Sequence, residues 1–166
     1  MNCFILGPAR SGTAFLHALL EQHEKITASK IKEPNFFNLD INYKKGFNYY
    51  HEFFKGNGDI YLDSSHRYLY LPYVADRIKR YNPNSKFIII LRNPIKRTFS
   101  HYYYYYSRKK EVYSFLDAMN HDLQRYKTIK KFTSSSKYEK YKKNYGCTKT
   151  EDYFRTYLDS GLIYDQ

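Results

Sequence analysis

Two arginines and several hydroxyl groups in this chain follow short apolar runs, where they are placed to bind an anion. The first set lies in CFILGPARSGTAFLHALL, residues 3–20, where Arg10, Ser11 and Thr13 separate an apolar run from a run with helical spacing. The backbone N–H groups and the dipole at a helix N-terminus attract anions, and an arginine adds a bidentate donor. Ser11 and Thr13 also suit a helix N-cap. The stretch therefore predicts a strand, a loop and a helix that bind a phosphorylated ligand.

A second stretch of the same kind is KFIIILRNPIKRTFSHYYYYY, residues 86–106. Phe87–Leu91 predicts a second buried strand, and Pro94 suits the first turn of the helix that follows. Arg92 and Ser100 bracket the strand end and the second turn of that helix, so that together they can grip a second phosphate. Ligands of open α/β sheets bind at the carboxyl ends of the strands, which is where both stretches place their polar groups.

The first loop is not a Walker A loop. That pattern ends in Gly-Lys-[Ser/Thr], whereas Gly12 is followed by Thr13 with no lysine. From the residues alone, three alternatives remain open beside a site for a phosphorylated ligand. They are a P-loop nucleotide kinase or NTPase with a degenerate loop, a non-enzymatic basic module that binds a polyanion, and a plain strand-to-helix turn whose arginine is solvated.

The two motifs together resemble the sulfotransferase family, whose members use 3′-phosphoadenylyl sulfate (PAPS). The first motif is RSGT, residues 10–13, and the second is LRNPIKRTFSHY, residues 91–102. Three further segments resemble the glycan-modifying, heparan-sulfate-type branch: KEPNFF at Lys32–Phe37, GFNYYHEFF at Gly46–Phe54 and YLDSSHRYL at Tyr61–Leu69. The resemblance covers Phe4 to Tyr106 and fades after that point.

The resemblance implies a three-layer α/β/α fold with a central parallel sheet, like that of the P-loop NTPases. It implies transfer of a sulfuryl group from PAPS to a hydroxyl or amine, with adenosine 3′,5′-bisphosphate as the product and no metal. The residues that it places on the 5′-phosphosulfate of the donor are Arg10, Ser11, Gly12, Thr13 and Ala14. It places Arg92 and Ser100 on the 3′-phosphate.

Glu33 is the candidate general base. Pro34 biases Glu33 to an extended backbone at the end of a strand near the anion site, which is where a base would sit. In the resembled branch the glutamate of this motif deprotonates the acceptor, with Lys32 and Arg10 as catalytic partners. Without the resemblance, Glu33 is equally an ordinary surface partner of Lys32 or of Arg10. His66 is a second candidate base, and Ser64 stands where the branch often has a lysine that contacts the sulfate.

The composition favours an anionic partner. The chain has 166 residues with 28 Lys and Arg against 16 Asp and Glu, a net charge of +12. Such a surface suits polyanions, and the branch resemblance makes a glycan or glycolipid the expected acceptor. No nucleic-acid-binding motif occurs, so no nucleic acid is expected.

The remaining expectations concern organisation and location. We expect a single sulfotransferase domain over 1–166 that is incomplete at its C-terminus, with a basic mobile loop over 127–150. Further strands are predicted at 26–29 and 60–62, and further helices at 46–54, 68–81, 113–126 and 151–158. The sequence shows neither a signal peptide nor an apolar run long enough to span a membrane. A cytoplasmic location is therefore the expectation, unless the chain is a fragment that lacks a Golgi-type anchor.

Overall fold

The computed structural model describes residues 2–128, 136, 157 and 158. The chain divides into two compact units, Met1–Leu91 and Arg92–Gln166. Residues 151–156 of the predicted helix at 151–158 and nearly all of the predicted loop at 127–150 fall outside the described residues, as does Cys147. The expectation of a single domain stays a prediction.

The first unit alternates strands and helices, as the apolar runs predict. Its strands are β1 (Asn2–Leu6), β2 (Ile26–Ala28), β3 (Ile60–Asp63) and β4 (Lys86–Ile89). Its helices are α1 (Thr13–Leu20), α2 (Asp40–Tyr43), α3 (Gly46–His51) and α4 (Pro72–Tyr81), with a 3₁₀ turn at His66–Tyr68. The predicted helix at 68–81 is therefore shorter, because Pro72 begins a new helix after the 3₁₀ turn.

The four strands form one parallel sheet in the order β2-β3-β1-β4. All five residues of β1 are buried, since this strand has a neighbour on each side. The predicted α/β class with a parallel sheet is confirmed. The carboxyl ends of β1 and β3 lead directly into the loop at 7–12 and the segment at 64–65, so the sheet brings these polar segments to the same edge.

Aromatic rings form much of the core of this unit. Phe36 and Phe37 are fully buried, and their ring centroids lie 4.9 Å apart in an edge-to-face contact. The ring of Tyr50 stacks on Phe36 at 4.7 Å, and Phe4 of β1 contacts Phe37 at 5.8 Å. Such pairs add about 0.5–1.5 kcal/mol each to the free energy gained from burial. They fix the segment after Lys32–Pro34 against the sheet.

The prediction of a buried strand at Phe87–Leu91 is only half right. A strand forms, but the residues of β4 are exposed, with Phe87 at 50% and Ile89 at 55%. The reason is topological, because β4 is an edge strand of the sheet that the described residues form. An apolar run predicts a strand but does not distinguish an edge from a centre.

The second unit contains α5 (Pro94–Tyr106) and α6 (Phe115–Thr128). Both helices are predicted. On α6, Leu116 is 69% exposed, whereas Ala118 and Asp122 are buried. Ala118 packs with Tyr102 and Tyr157 in a small apolar cluster.

Arg97 of α5 is buried, and it donates hydrogen bonds to the Thr98 hydroxyl and the Tyr157 carbonyl. Burial lowers the pKa of its guanidinium to about 10, against the opposing charge of Asp122. These contacts give Arg97 a structural role within the second unit.

Candidate active site

The loop between β1 and α1 has the backbone geometry of an anion site. Arg10 and Gly12 have positive φ angles of 72° and 108°, and Gly12 is the N-cap of α1 without a side-chain cap. The sequence suggested Ser11 or Thr13 as the N-cap, and this prediction is wrong because Gly12 occupies that position. Left-handed residues that alternate with helical ones turn backbone N–H groups toward a common concavity, where they attract anions. Ala14, in the first turn of α1, is exposed there.

Two details of this loop match an anionic ligand. The Ser11 hydroxyl is buried, and its Oγ has no hydrogen-bond partner among the described residues. A buried polar atom without a partner is costly unless a ligand or water completes it. Gly7 holds the loop close to the sheet, because a Cβ there would lie 2.6 Å from the Ile90 carbonyl oxygen.

The predicted base lies in a charged cluster. The Oε1 atom of Glu33 lies 2.9 Å from Nδ1 of His66 and 3.0 Å from Nζ of Lys32. Burial raises the pKa of Glu33, but the hydrogen bond and charge of His66, followed by those of Lys32, outweigh it and lower the pKa to about 2. The carboxylate is therefore ionised throughout the neutral range.

The backbone around Glu33 is strained, contrary to the extended conformation that Pro34 suggested. Glu33 and Asn35 have φ angles of 64° and 52°, in the left-handed region that costs non-glycine residues about 1–2 kcal/mol each. The Asn35 side chain donates a 2.7 Å hydrogen bond to the Glu33 carbonyl oxygen, which closes the turn. Residues persist in such a conformation only where their surroundings hold them.

His17 and Ser64 form a buried pair that the sequence did not reveal. Nδ1 of His17, on α1, lies 2.8 Å from Oγ of Ser64. Burial lowers the pKa of His17, and the nearby charge of Lys32 lowers it further against the attraction of Glu21. A neutral imidazole and a hydroxyl therefore occupy the place where the branch often has a lysine.

Asp63, the last residue of β3, lies in a buried hydrogen-bond network. Its Oδ2 accepts from the hydroxyls of Tyr50 at 3.0 Å and Tyr68 at 3.1 Å, and its Oδ1 accepts from Ser65 at 2.9 Å. Burial raises the pKa of Asp63 to about 7; the three donors lower it, and the negative charge of Glu33 raises it again. This network lies directly beside the Glu33 cluster.

In the second unit, Arg92 and Ser100 line one groove of about 550 Å³. The Asn93 side chain caps α5 by accepting a 3.1 Å hydrogen bond from the Lys96 backbone N–H. The other residues that line the groove are Ile95, Lys96, Phe99, Tyr103 and Phe115. The predicted pair thus lies together, next to a second cation, Lys96, and a mostly apolar wall.

Two negative observations concern only the described part of the chain. Within it, no group of three or more His, Cys, Asp or Glu side chains is close enough to hold a metal. Nor does any of its helices combine the length and apolarity needed to cross a bilayer. The expectation that the reaction needs no metal stays a prediction.

Comparison with known proteins decides the family. The profile of the sulfotransferase domain matches residues 2–161. The chain belongs to the sulfotransferase family. The solved structure of a sulfotransferase from Alicyclobacillus acidocaldarius matches with a TM-score of 0.67 at 25% identity, over 87% of this chain and 69% of that one. The sulfotransferase fold that the two motifs implied is therefore confirmed.

Sequence relatives of this chain include proteins that are named as enzymes of heparan sulfate. The human bifunctional heparan sulfate N-deacetylase/N-sulfotransferase 2 is 33% identical over 107 residues, which are 59% of this chain and 12% of the relative. The Xenopus laevis bifunctional heparan sulfate N-deacetylase/N-sulfotransferase 1 is 32% identical over the same shares. The membrane-associated sulfotransferase kil1 of Dictyostelium discoideum is 30% identical over 61% of this chain and 22% of its own length. The chain thus spans a minor part of these relatives.

The structure brings some predicted site residues together within each unit. Glu33, Lys32 and His66 meet at one carboxylate, and Arg92 and Ser100 share one groove. The roles assigned to these residues and to Arg10, Ser11, Gly12, Thr13 and Ala14 stay predictions. Sequence reasoning missed the pairing of His17 with Ser64 and the network of Asp63. The only signal for the latter was an aspartate that ends a strand, next to two serines.

Proposed function

We propose that this protein transfers a sulfuryl group from PAPS to a hydroxyl or amine of a carbohydrate. The observation that carries the proposal is the coincidence of a sulfotransferase domain over 2–161 with an anion loop that leaves the buried Ser11 hydroxyl without a protein partner. The heparan-sulfate activity in the names of the relatives and the net charge of +12 support an anionic glycan acceptor.

The donor supplies an activated sulfuryl group whose leaving group is a phosphate. Arg10, the Ser11 hydroxyl and the N–H groups from Ser11 to Ala14 bind the 5′-phosphosulfate in this proposal and stabilise the charge that collects on the departing phosphate. Arg92 and Ser100 bind the 3′-phosphate and thereby distinguish PAPS from ATP. As in phosphoryl transfer, catalysis consists mainly of positioning and of stabilising charge.

The pair of Glu33 and His66 accepts the proton of the acceptor. A new S–O or S–N bond forms as the bond from sulfur to the phosphate oxygen breaks, and the bonding electrons leave with the phosphate. The proton passes to this pair, where Glu33 orients His66 through the 2.9 Å contact at Nδ1. Lys32, at 3.0 Å from the same carboxylate, lies where its ammonium can stabilise the transferring sulfuryl oxygens.

Calorimetric titration tests the donor half of the proposal. Adenosine 3′,5′-bisphosphate should bind in preference to 5′-AMP and to ATP with Mg²⁺, and Arg92→Ala should remove that preference. Arg80→Ala, at an exposed arginine of α4, is the matched control and should bind like the wild type. Preferential binding of ATP with Mg²⁺ would instead support a nucleotide kinase, and binding of DNA without any nucleotide would support a polyanion-binding module.

A transfer assay tests the acceptor half. Radiolabelled sulfate from PAPS should appear on N-desulfated heparan sulfate and not on a neutral dextran of similar length. Glu33→Gln should lower kcat by about 10²- to 10⁴-fold, the usual contribution of acid–base catalysis, because the proton-accepting pair with His66 is lost, and it should leave bisphosphate binding unchanged. Equal labelling of both polymers would argue against an anionic glycan as the acceptor.

A further inference from the structure

Tyr68 joins the segment that carries Glu33 to the end of β3. Its hydroxyl accepts hydrogen bonds from the backbone N–H of Phe36 at 3.0 Å and of Phe37 at 3.4 Å. It donates to Oδ2 of Asp63 at 3.1 Å. A tyrosine hydroxyl has one donor and two acceptor positions, and all of them are used here. Because the hydroxyl of Tyr68 donates its one hydrogen bond to Asp63, both of its lone pairs are free to accept from the backbone of Phe36 and Phe37.

This connection lies next to the strained turn at Glu33 and Asn35. The turn is held on its upstream side by the contacts of Lys32 and His66 with the Glu33 carboxylate. On the downstream side, the fully buried rings of Phe36 and Phe37 and the hydroxyl of Tyr68 hold the backbone. Left-handed non-glycine residues persist only where such restraints outweigh their cost.

We propose that Tyr68, oriented by Asp63, is a positioning residue that keeps the Glu33 carboxylate against His66 during sulfuryl transfer. This inference rests on the proposed function and deepens it. Tyr68 and Asp63 contact no reacting atom themselves and act through Glu33. Removing the hydroxyl leaves two buried N–H groups without an acceptor, so the segment moves to find water or other partners. A shift of about 1 Å at a catalytic group can lower a rate by about 10²-fold.

Tyr68→Phe removes this connection, and Tyr50→Phe is its matched control. Both substitutions remove a tyrosine hydroxyl that donates to Oδ2 of Asp63, at 3.1 and 3.0 Å respectively, and both keep the ring in the core. Only the hydroxyl of Tyr68 also accepts from the backbone N–H groups of Phe36 and Phe37. A general weakening of the core should therefore affect both variants alike, whereas loss of positioning should affect only Tyr68→Phe.

The first readout is the titration of Glu33, followed by carbon-13 NMR of its carboxyl group, which needs no activity. In the wild type this carboxyl should titrate at a pKa of about 2, since the contacts with His66 and Lys32 hold it ionised. In Tyr68→Phe the pKa should rise toward its ordinary value because the contact with His66 loosens, and in Tyr50→Phe it should stay low. Equal values in the wild type and both variants, or equal rises in both variants, would overturn the inference.

The second readout is the split between kcat and binding. Tyr68→Phe should lower kcat about 10- to 100-fold, with the affinity for adenosine 3′,5′-bisphosphate unchanged, and Tyr50→Phe should change neither by more than about threefold. If Tyr68→Phe does not fold, Asp63→Asn replaces it in the kcat measurement at pH 8, above the pKa of about 7 of Asp63, where the ionised carboxylate orients the Tyr68 hydroxyl in the wild type, and kcat should fall in the same way. If the wild type shows the low pKa of Glu33 but transfers no sulfate, the proposed function is wrong. The titration of the two variants still decides whether Tyr68 positions Glu33.

Discussion

Replacing Glu33 by glutamine should cost stability in a way that depends on pH. The pKa of about 2 lies about 2.5 pH units below the ordinary 4.5. At about 1.36 kcal/mol for each pH unit, the contacts with His66 and Lys32 favour the ionised carboxylate by about 3 kcal/mol at neutral pH. Because the side chain is 28% exposed, solvent screening reduces this figure, and we expect about 1–3 kcal/mol.

The direction of the pH dependence follows from the lowered pKa. The folded state releases the proton of Glu33 more easily than the unfolded state, so the stabilisation is complete above pH 4.5 and is lost as the pH falls through about 2. At pH 3 it should have dropped to about two-fifths of its neutral value. Glutamine has the same size and backbone restrictions but carries no charge, so the variant lacks this contribution at every pH.

Urea unfolding at pH 7 and pH 3 measures the effect. The free energy of unfolding of the wild type should exceed that of Glu33→Gln by about 1–3 kcal/mol at pH 7, and by less than half of that amount at pH 3. Glu24→Gln, at an exposed glutamate, is the control and should differ from the wild type by less than about 0.5 kcal/mol. A difference for Glu33→Gln that stays constant between the two pH values would refute the account of the ion pair.

Three further predictions concern the anion loop and the core. Ser11→Ala should weaken adenosine 3′,5′-bisphosphate about tenfold in calorimetry, the loss of about 1.4 kcal/mol expected for one hydrogen bond, and should not lower the melting temperature. Gly7→Ala should lower the free energy of unfolding in urea by about 1–3 kcal/mol, since its Cβ would lie 2.6 Å from the Ile90 carbonyl oxygen; an unchanged value would contradict this close approach. Leu62→Ala, in the buried core, should lower the free energy of unfolding by about 2–5 kcal/mol. Leu116→Ala, at a 69% exposed position, should lower it by less than about 0.5 kcal/mol. Similar losses in the two variants would contradict the burial of Leu62 and the exposure of Leu116.

The sequence predicts the elements of the site better than their environments. The strand, loop and helix around Arg10 and the helix after Pro94 are where the apolar runs and turn residues place them, because these signals are local. The exposure of β4 is not local, since it depends on the strand's place at the edge of the sheet. The same apolar run is compatible with a central or an edge strand.

The contacts of the candidate base lie beyond sequence reasoning for a related reason. Glu33 and His66 are 33 positions apart on segments that no periodicity describes, and they follow two strands, β2 and β3, that pair in parallel. The left-handed backbone at Glu33 was also unforeseen, because the residue before a proline is normally extended. Here the buried rings of Phe36 and Phe37 and the Asn35 side chain override that preference.

The strained turn at Glu33 and Asn35 has a consequence for protein engineering. A glycine at Asn35 would adopt the φ of 52° without strain, but would remove the side chain that holds the Glu33 carbonyl oxygen. Selection for heat resistance alone should therefore accept substitutions that relax this turn, while selection for turnover should reject them. Thermostable variants of this chain are best sought in its exposed helix positions, and the turn is best kept constant in any library that must retain activity.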